Sequence, residues 1–295
     1  MFWQTTRFQI DLSQPKIMGI VNVTPDSFSD GGQHAQISSA IGHCETLIRD
    51  GADILDIGAE SSRPGAPPVS LHEELARLMP VLREAVQLNV PISVDTYKPQ
   101  VMQAALDAGA DIINDIWGFR CVDEGVDAAQ VVMQHRTCGL VMMHMHRDPQ
   151  TMQLDPMPES EDVVQRVKND LLFFCEQLRQ VLYRQEGDLS SNSEQNDDLR
   201  PRLLIDPGIG FGKTVTQNFA LLARQSELLD LGFPLLAGWS RKSSLGAATG
   251  LDNAKDRLIP SIAAALLALE RGASVLRVHD VRETVQALAV WRAAK

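Results

Sequence analysis

Residues 91–115 read PISVDTYKPQVMQAALDAGADIIND, and the order of residue types in this stretch decides the architecture. Ile92, Ser93 and Val94 form a short apolar, partly β-branched run that stops on a carboxylate, Asp95, as a strand entering a polar loop does. Thr96 then stands where a helix cap is expected, and Val101, Ala104, Ala105 and Ala108 recur at helical spacing. Gly109 occupies the position that a left-handed closing residue takes. Ile112 and Ile113 open a second apolar run that ends on Asn114 and Asp115. Two strands with polar ends and a helix between them predict a parallel crossover unit.

The same grammar recurs along the chain. Apolar runs of strand length occupy 17–21, 54–57, 92–94, 112–116, 140–143, 203–205, 235–237 and 275–278, with helical periodicity between them. Each is followed by a polar side chain: Asn22, Asp56, Asp95, Asn114, His144, Asp206, Ser240 and His279. A doubly wound open sheet also alternates strand and helix, but it gathers ligands in one crevice. Eight polar strand ends fit better the closed rim of a single (β/α)8 TIM barrel, whose reactive groups sit at the C-terminal ends of its strands. Residues 1–295 are therefore read as one domain, with a leader over 1–15 that pairs or covers the barrel bottom and a polar, flexible insertion over 185–200. The insertion joins a helix to a strand and so belongs on the face opposite the rim.

Composition narrows the function. A net charge of −11 and a pI near 5.1 argue against a nucleic-acid or anionic-membrane surface. The longest apolar stretch, 259–269, falls short of a membrane span, and Met1–Ile10 has no basic start followed by an apolar core, so a cytoplasmic protein is expected. Cys44, Cys121, Cys138 and Cys175 form no CxxC pair and fit reduced thiols.

Several stretches carry candidate chemistry. IMGIVNVTPDSFSDGG, 17–32, follows a strand with a long polar turn that holds one large apolar side chain, Phe28, which either folds back onto the barrel or closes onto a ligand. In GAESSRPGA, 58–66, Ser61, Ser62 and Arg63 combine hydroxyls with a guanidinium fork, suited to an anion such as a phosphate. His144 and His146 alternate among Met142, Met143 and Met145; with no third ligand near in sequence, an apolar pocket wall built by the methionines is preferred to a metal. LLIDPGIGFGK, 203–213, ends a strand in Asp206 and places Phe211 on a glycine turn, but Gly208, Gly212 and Lys213 fall one residue short of a phosphate-loop spacing. Ser240, Arg241 and Lys242 follow the seventh strand, and Arg277 and His279 share one face of the eighth, where either ion pairing or anion binding would satisfy them.

Taken in order, NVTPDSFSDGG, ESSRPGA, SVDTYK, ADIIND, MHM, DPGIGFGK, SRKS and RVHDV resemble the dihydropteroate synthase family, pterin-binding TIM barrels of the folate pathway. Ser62 where the family usually has Thr, Ala59 for Gly, Trp117, Trp239, Pro260 and the polar insertion depart from its pattern. The resemblance implies transfer of a dihydropterin-methyl group from 6-hydroxymethyl-7,8-dihydropterin pyrophosphate to 4-aminobenzoate, with Mg²⁺ as cofactor, by a homodimer. It implies a pterin site of Asp95, Asn114, Asp206, Lys242, Arg277, Met143 and Phe211. It implies a pyrophosphate site of Asn22, Ser62, Arg63, Arg277 and His279, with Asn22 toward the metal, and an aminobenzoate site of Phe28, Pro64, Ser240 and Lys242. Asp95, Lys242 and Arg63 would be catalytic. The alternatives are a pterin-binding methyltransferase, for which the SFSDGG, SSRPGA and SRK loops would have no purpose, and a non-catalytic pterin-binding paralogue, which would not need Arg63, Lys242 and His279.

If Phe28 closes over the aminobenzoate site, Phe28→Ala leaves bare-pterin affinity nearly intact and lowers kcat/KM for aminobenzoate by about ten- to a hundredfold, the value of one buried phenyl. Sulfonamide binding weakens in parallel. Loss of pterin affinity with an unchanged aminobenzoate KM would place Phe28 in the wrong pocket.

Overall fold

The computed structural model describes residues 1–23, 33–61, 66–148, 151–186 and 199–295. Eight parallel strands close into a barrel: β3 (Lys16–Asn22), β4 (Ile54–Gly58), β5 (Ile92–Asp95), β6 (Ile112–Asp115), β9 (Gly139–Met143), β10 (Leu203–Asp206), β11 (Leu235–Ala237) and β12 (Ala273–Val278), with β12 pairing β3. The helices between and after them are α1 (Gln33–Arg49), α2 (Leu71–Ala85), α3 (Pro99–Asp107), α4 (Ala128–Gln134), α5 (Val163–Glu186), α6 (Val215–Ala223), α7 (Ser243–Thr249), α8 (Leu258–Glu270) and α9 (Val281–Ala293). Short antiparallel hairpins, β1 (Phe2–Gln4) with β2 (Gln9–Asp11) and β7 (Val122–Asp123) with β8 (Val126–Asp127), stand apart from the barrel. All eight strand runs expected from the sequence are strands of the barrel.

Side chains alternate across a strand, and here the two phases do different work. One phase, which includes Leu55, Ile57, Ile92, Val94, Ile113, Leu140, Leu203, Ile205 and Leu276, packs in the main core with the helices. The other supplies a separate cluster of Met18, Ile54, Ile112, Val141, Leu204, Leu236 and Val275, closed from below by Trp3 and Ile10 of the first hairpin. Trp3 is fully buried and its indole Nε1 donates to the Arg202 carbonyl at 2.6 Å, so the apolar floor ends on a satisfied polar contact.

Helix starts were less legible. Thr96 does not cap α3: the helix opens at Pro99 with Lys98 as the capping residue, because proline supplies a ready φ at the first helical position. The Thr96 hydroxyl instead donates to Glu74 Oε1 at 2.7 Å. Gly109 does take the left-handed conformation, at φ 100°. Residues 187–198, most of the polar insertion, lie outside the described residues.

Removing the indole of Trp3 leaves a cavity under the barrel and takes one of two hydrogen bonds from the Arg202 carbonyl, which keeps the Leu140 N–H at 2.8 Å. Trp3→Ala is expected to lower unfolding stability by about 3–5 kcal/mol in urea titration with little change in kcat, since it lies at the mouth opposite the strand ends. A loss below about 1 kcal/mol would show that the hairpin does not seal the floor.

Candidate active site

Two residues beyond four of the seven floor residues, and beyond Ser93, the inward phase turns polar. Ile54 is followed by Asp56, Ser93 by Asp95, Ile112 by Asn114, Leu204 by Asp206 and Val275 by Arg277, then His279; Val141 is followed by Met143. The parallel register sets Asp56 beside Ser93, Asp95 beside Asn114, and Asp206 beside Met143. A ring of polar groups therefore stands on the apolar floor.

Arg277 is its centre. Its Nε donates to Asp56 Oδ2 at 2.6 Å and its Nη2 to Asp95 Oδ2 at 2.5 Å, a fork spread over two carboxylates. Asp56 is fully buried and also accepts from Ser93 Oγ at 2.6 Å and Asn114 Nδ2 at 3.2 Å. Burial acts against the charge on Arg277, but Asp56 and Asp95 outweigh it and raise its pKa above the usual guanidinium value. Burial likewise pushes Asp95 up to about 7 against the pull of Arg277, with Asp56, Glu74 and Asp115 adding to the rise.

Asp206 is oriented from its own turn: Gly208 N–H donates to Oδ1 at 2.7 Å, and Oδ2 lies toward Gly238. Burial raises its pKa, opposed by that hydrogen bond and by Lys242, Arg277 and Lys213. Lys242 caps the start of α7, and its ammonium lies 4.2 Å from the centroid of the Phe211 ring. Burial brings Lys242 down to about 8, against the pull of Asp206 and Asp95. The turn that presents it is strained: Arg241 sits at φ 60°, pinned by Ser261 Oγ, which accepts from its N–H at 2.9 Å, and by an ion pair to Asp280. Ser240 Oγ lies 3.0 Å from His279 Nδ1 and accepts from the His279 N–H at 3.2 Å, joining the ends of β11 and β12.

All seven residues expected to hold a pterin line one recess: Asp95, Asn114, Met143, Asp206, Phe211, Lys242 and Arg277, together with Ile116, Ile209 and Gly238. It opens into a cavity of about 270 Å³ whose walls include Asn22, Ser240, Lys242, Arg277 and His279. Phe28, Ser62, Arg63 and Pro64 lie outside the described residues. Asn22 ends β3 with its side chain exposed on the cavity wall. Among the described residues no cluster of three or more His, Cys, Asp or Glu side chains is arranged to hold a metal. A single hard amide oxygen on an open wall fits an ion such as Mg²⁺ that arrives with phosphate oxygens and keeps several waters.

His144 stands apart from the other strand-end residues. It falls on the outward phase, is buried, and lies 3.1 Å from Asp170 of α5; burial takes its pKa down to about 3, so it is a neutral packing partner. Several wall residues had no sequence assignment. Asp56 lies buried beneath the walls: the sequence marks it as a strand end, and its alternation with Ile54 is the signal that sets it on the inward phase. Ser243 and Arg257 line the wider cavity, beside Arg241 and beside Ser61 of the stretch read as suited to an anion. Arg257 comes from a turn after α7 and reaches the Arg241 carbonyl at 3.1 Å, a contact no local pattern announces. A neighbouring cavity of about 250 Å³ shares Glu60, Ser61 and Asp95 and is walled by Tyr97 and Trp117, whose rings stack at 5.3 Å.

The sequence pattern of the family described as pterin binding enzyme matches residues 18–279. The dihydropteroate synthase of Neisseria meningitidis serogroup B is 45% identical over 296 residues, covering 99% of this chain and 96% of that protein. Among solved structures, Xanthomonas albilineans dihydropteroate synthase with 4-aminobenzoic acid superposes with a TM-score of 0.83 at 45% identity, over 97% of this chain and 95% of the other. Burkholderia cenocepacia dihydropteroate synthase complexed with 7,8-dihydropteroate gives a TM-score of 0.82 at 45% identity, over 99% and 96%. With a barrel, a polar ring and a full-length match in agreement, the chain belongs to the dihydropteroate synthase family of pterin binding enzymes.

Proposed function

We infer that the chain joins 6-hydroxymethyl-7,8-dihydropterin pyrophosphate to 4-aminobenzoate, forming 7,8-dihydropteroate and releasing pyrophosphate. The observation that carries this reading is the convergence of Asp95, Asn114, Asp206, Lys242 and Arg277 on one recess at the strand ends. The relatives supply the ligand class: one solved neighbour holds 4-aminobenzoic acid and another 7,8-dihydropteroate.

The recess suits a pterin. Asp206 is held through Oδ1 by Gly208 N–H, which leaves Oδ2 to accept from the amino and ring N–H edge of the ligand, and the Asn114 amide can donate and accept beside it. Lys242 donates from the cavity side, and Met143, Ile116 and Phe211 supply apolar walls. The planar Arg277 guanidinium, held by its two carboxylates, offers a face for the ring to stack on.

In the reaction the carbon–oxygen bond to pyrophosphate breaks first and the electron pair leaves with the phosphate. The electron-rich dihydropterin spreads the resulting positive charge, and Asp95, ionised and fixed by Arg277, stabilises it electrostatically. The 4-aminobenzoate nitrogen then adds to the methylene carbon and releases a proton. Arg277 and His279 face the leaving pyrophosphate on the cavity wall, and Ser240 and Lys242 face the aminobenzoate. Ser62 and Arg63 belong to the pyrophosphate site in this reading, Phe28 and Pro64 to the aminobenzoate site, and Arg63 joins Asp95 and Lys242 as catalytic. Mg²⁺, with Asn22 among its partners, would offset negative charge on the leaving group when bound.

We extend the proposal to a homodimer in the cytoplasm. Adjacent helices α8 and α9 expose Ile259 at 79%, Leu267 at 44% and Val290 at 72%, an apolar outer face that a second copy would cover. All four cysteines are buried free thiols, in keeping with a reducing compartment. Among the described residues no helix is long and apolar enough to cross a membrane.

Asp206→Asn keeps the Gly208 hydrogen bond through Oδ1 and turns an amino group toward the ligand donors. Pterin affinity should fall by about 2–4 kcal/mol, about thirty- to a thousandfold, in calorimetry on a folded variant. Unchanged affinity would remove Asp206 from the site.

Titration of the site predicts a bell-shaped rate. Asp95 must lose its proton, near 7, and Lys242 must keep its own, up to about 8, so kcat/KM falls on the acid side of the first value and on the basic side of the second. Asp95→Asn should lower kcat and abolish the acid limb. An acid limb that persists unchanged in that variant would assign the titration to another group.

A further inference from the structure

Lys213 belongs to the glycine turn after β10, is 2% exposed, and has no part in the mechanism above. We propose that Lys213 is a positioning residue for the pterin recess: its ammonium ties that turn to the end of β9 and so holds Asp206 and Phe211 in place. The proposal rests on the pterin reading of the recess.

An ammonium carries three N–H donors and no acceptor. Lys213 Nζ meets three backbone carbonyls: Gly208 at 2.8 Å, Phe211 at 3.1 Å and His144 at 3.3 Å. None of them is a carboxylate, so the side chain spends its donors on backbone shape. Burying it has a cost, visible as a pKa brought down to about 7 by burial, with Lys242 adding to the fall and Asp206 and Asp170 opposing it.

The turn needs such a tie. Gly208, Gly210 and Gly212 all have positive φ, at 69°, 83° and 66°, and a turn built on glycines loses the most chain entropy when ordered. It also lies directly against the end of β9, since a Cβ at Gly208 would stand 1.8 Å from the His144 carbonyl oxygen, which Lys213 also holds. The centre of the turn has its own supports: Gly210 N–H donates to Asn218 Oδ1 at 2.8 Å, and Gly210 O accepts from Gln153 at 2.7 Å. Lys213 ties the two ends to each other and to β9, alongside the Phe211 N–H, which donates to the Gly208 carbonyl at 3.2 Å. At one end Gly208 orients Asp206 through its N–H; at the other Phe211 presents its ring to Lys242.

The test compares Lys213→Met, which keeps the bulk and removes every donor, with Lys213→Gln, which keeps two donors without charge. Calorimetry with 6-hydroxymethyl-7,8-dihydropterin should show Kd raised about ten- to thirtyfold in the first, as loss of charge-assisted hydrogen bonds implies, and less in the second. KM for the pterin pyrophosphate should rise in parallel, with kcat and the KM for aminobenzoate within about twofold of wild type. A folded Lys213→Met protein with wild-type pterin affinity overturns the proposal, as does a uniform loss of Tm with kinetic constants unmoved. If Lys213→Met does not fold, Lys213→Gln decides: weakened pterin binding supports positioning, and wild-type affinity at lowered Tm overturns it. Failure of the wild-type protein to bind the pterin would instead overturn the functional reading of the recess.

Discussion

A guanidinium held between two carboxylates at the strand ends is the constraint on which the site depends. Arg277 comes from the last strand of the barrel and Asp56 and Asp95 from the second and third, so their contacts cross the ring rather than follow it. Removing Arg277 would leave two buried carboxylates without their cation, which is far more destabilising than an intact pair is stabilising, whereas removing either carboxylate leaves the guanidinium one partner. The same arrangement keeps the guanidinium plane fixed and leaves one face of it to the recess. Asn114 and Ser93 complete the valence of Asp56, so the cluster has no loose acceptor on that side.

The polar ring stands on an apolar plug made by the same strands. Because side chains alternate with period two, the residue that fills the floor and the residue that meets ligand are separated by one outward-facing neighbour, which packs against the helices. The hairpin bearing Trp3 completes the plug from outside the barrel sequence. Stability at one mouth and chemistry at the other can thus change independently, although every strand takes part in the barrel that carries both.

Depth within the barrel moves the protonation of the site in opposite directions for acids and bases. Burial raises Asp95 and Asp206 and lowers Lys242 and Lys213, each partly corrected by an opposite charge nearby. Asp95 and Lys213 are thereby brought to about 7 and Lys242 to about 8, so their charge is poised near neutral pH, suited to accepting a ligand that is itself polar and highly charged.

Local pattern by itself determined the strands, their order, the closed-barrel class and the polar residue at nearly every strand end. It did so because periodicity and β-branching act within a few residues. The family motifs also named seven residues that line one recess at the strand ends. Pattern could not say what those residues touch. Asp56 became the hub of the cluster only when barrel closure brought it to Arg277, 221 positions later in the chain. His144 followed a strand like the others, yet the outward phase sent it to Asp170. Thr96 had the chemistry of a helix cap and lost that role to Pro99, its hydroxyl going to Glu74. Lys213 looked like the end of a failed phosphate loop, and only the approach of the β9 end gave its ammonium three carbonyls. These are contacts between distant segments, and the three-dimensional closure of the barrel decides them because a side chain's partner is set by what packing brings within hydrogen-bond reach, not by its neighbours in sequence.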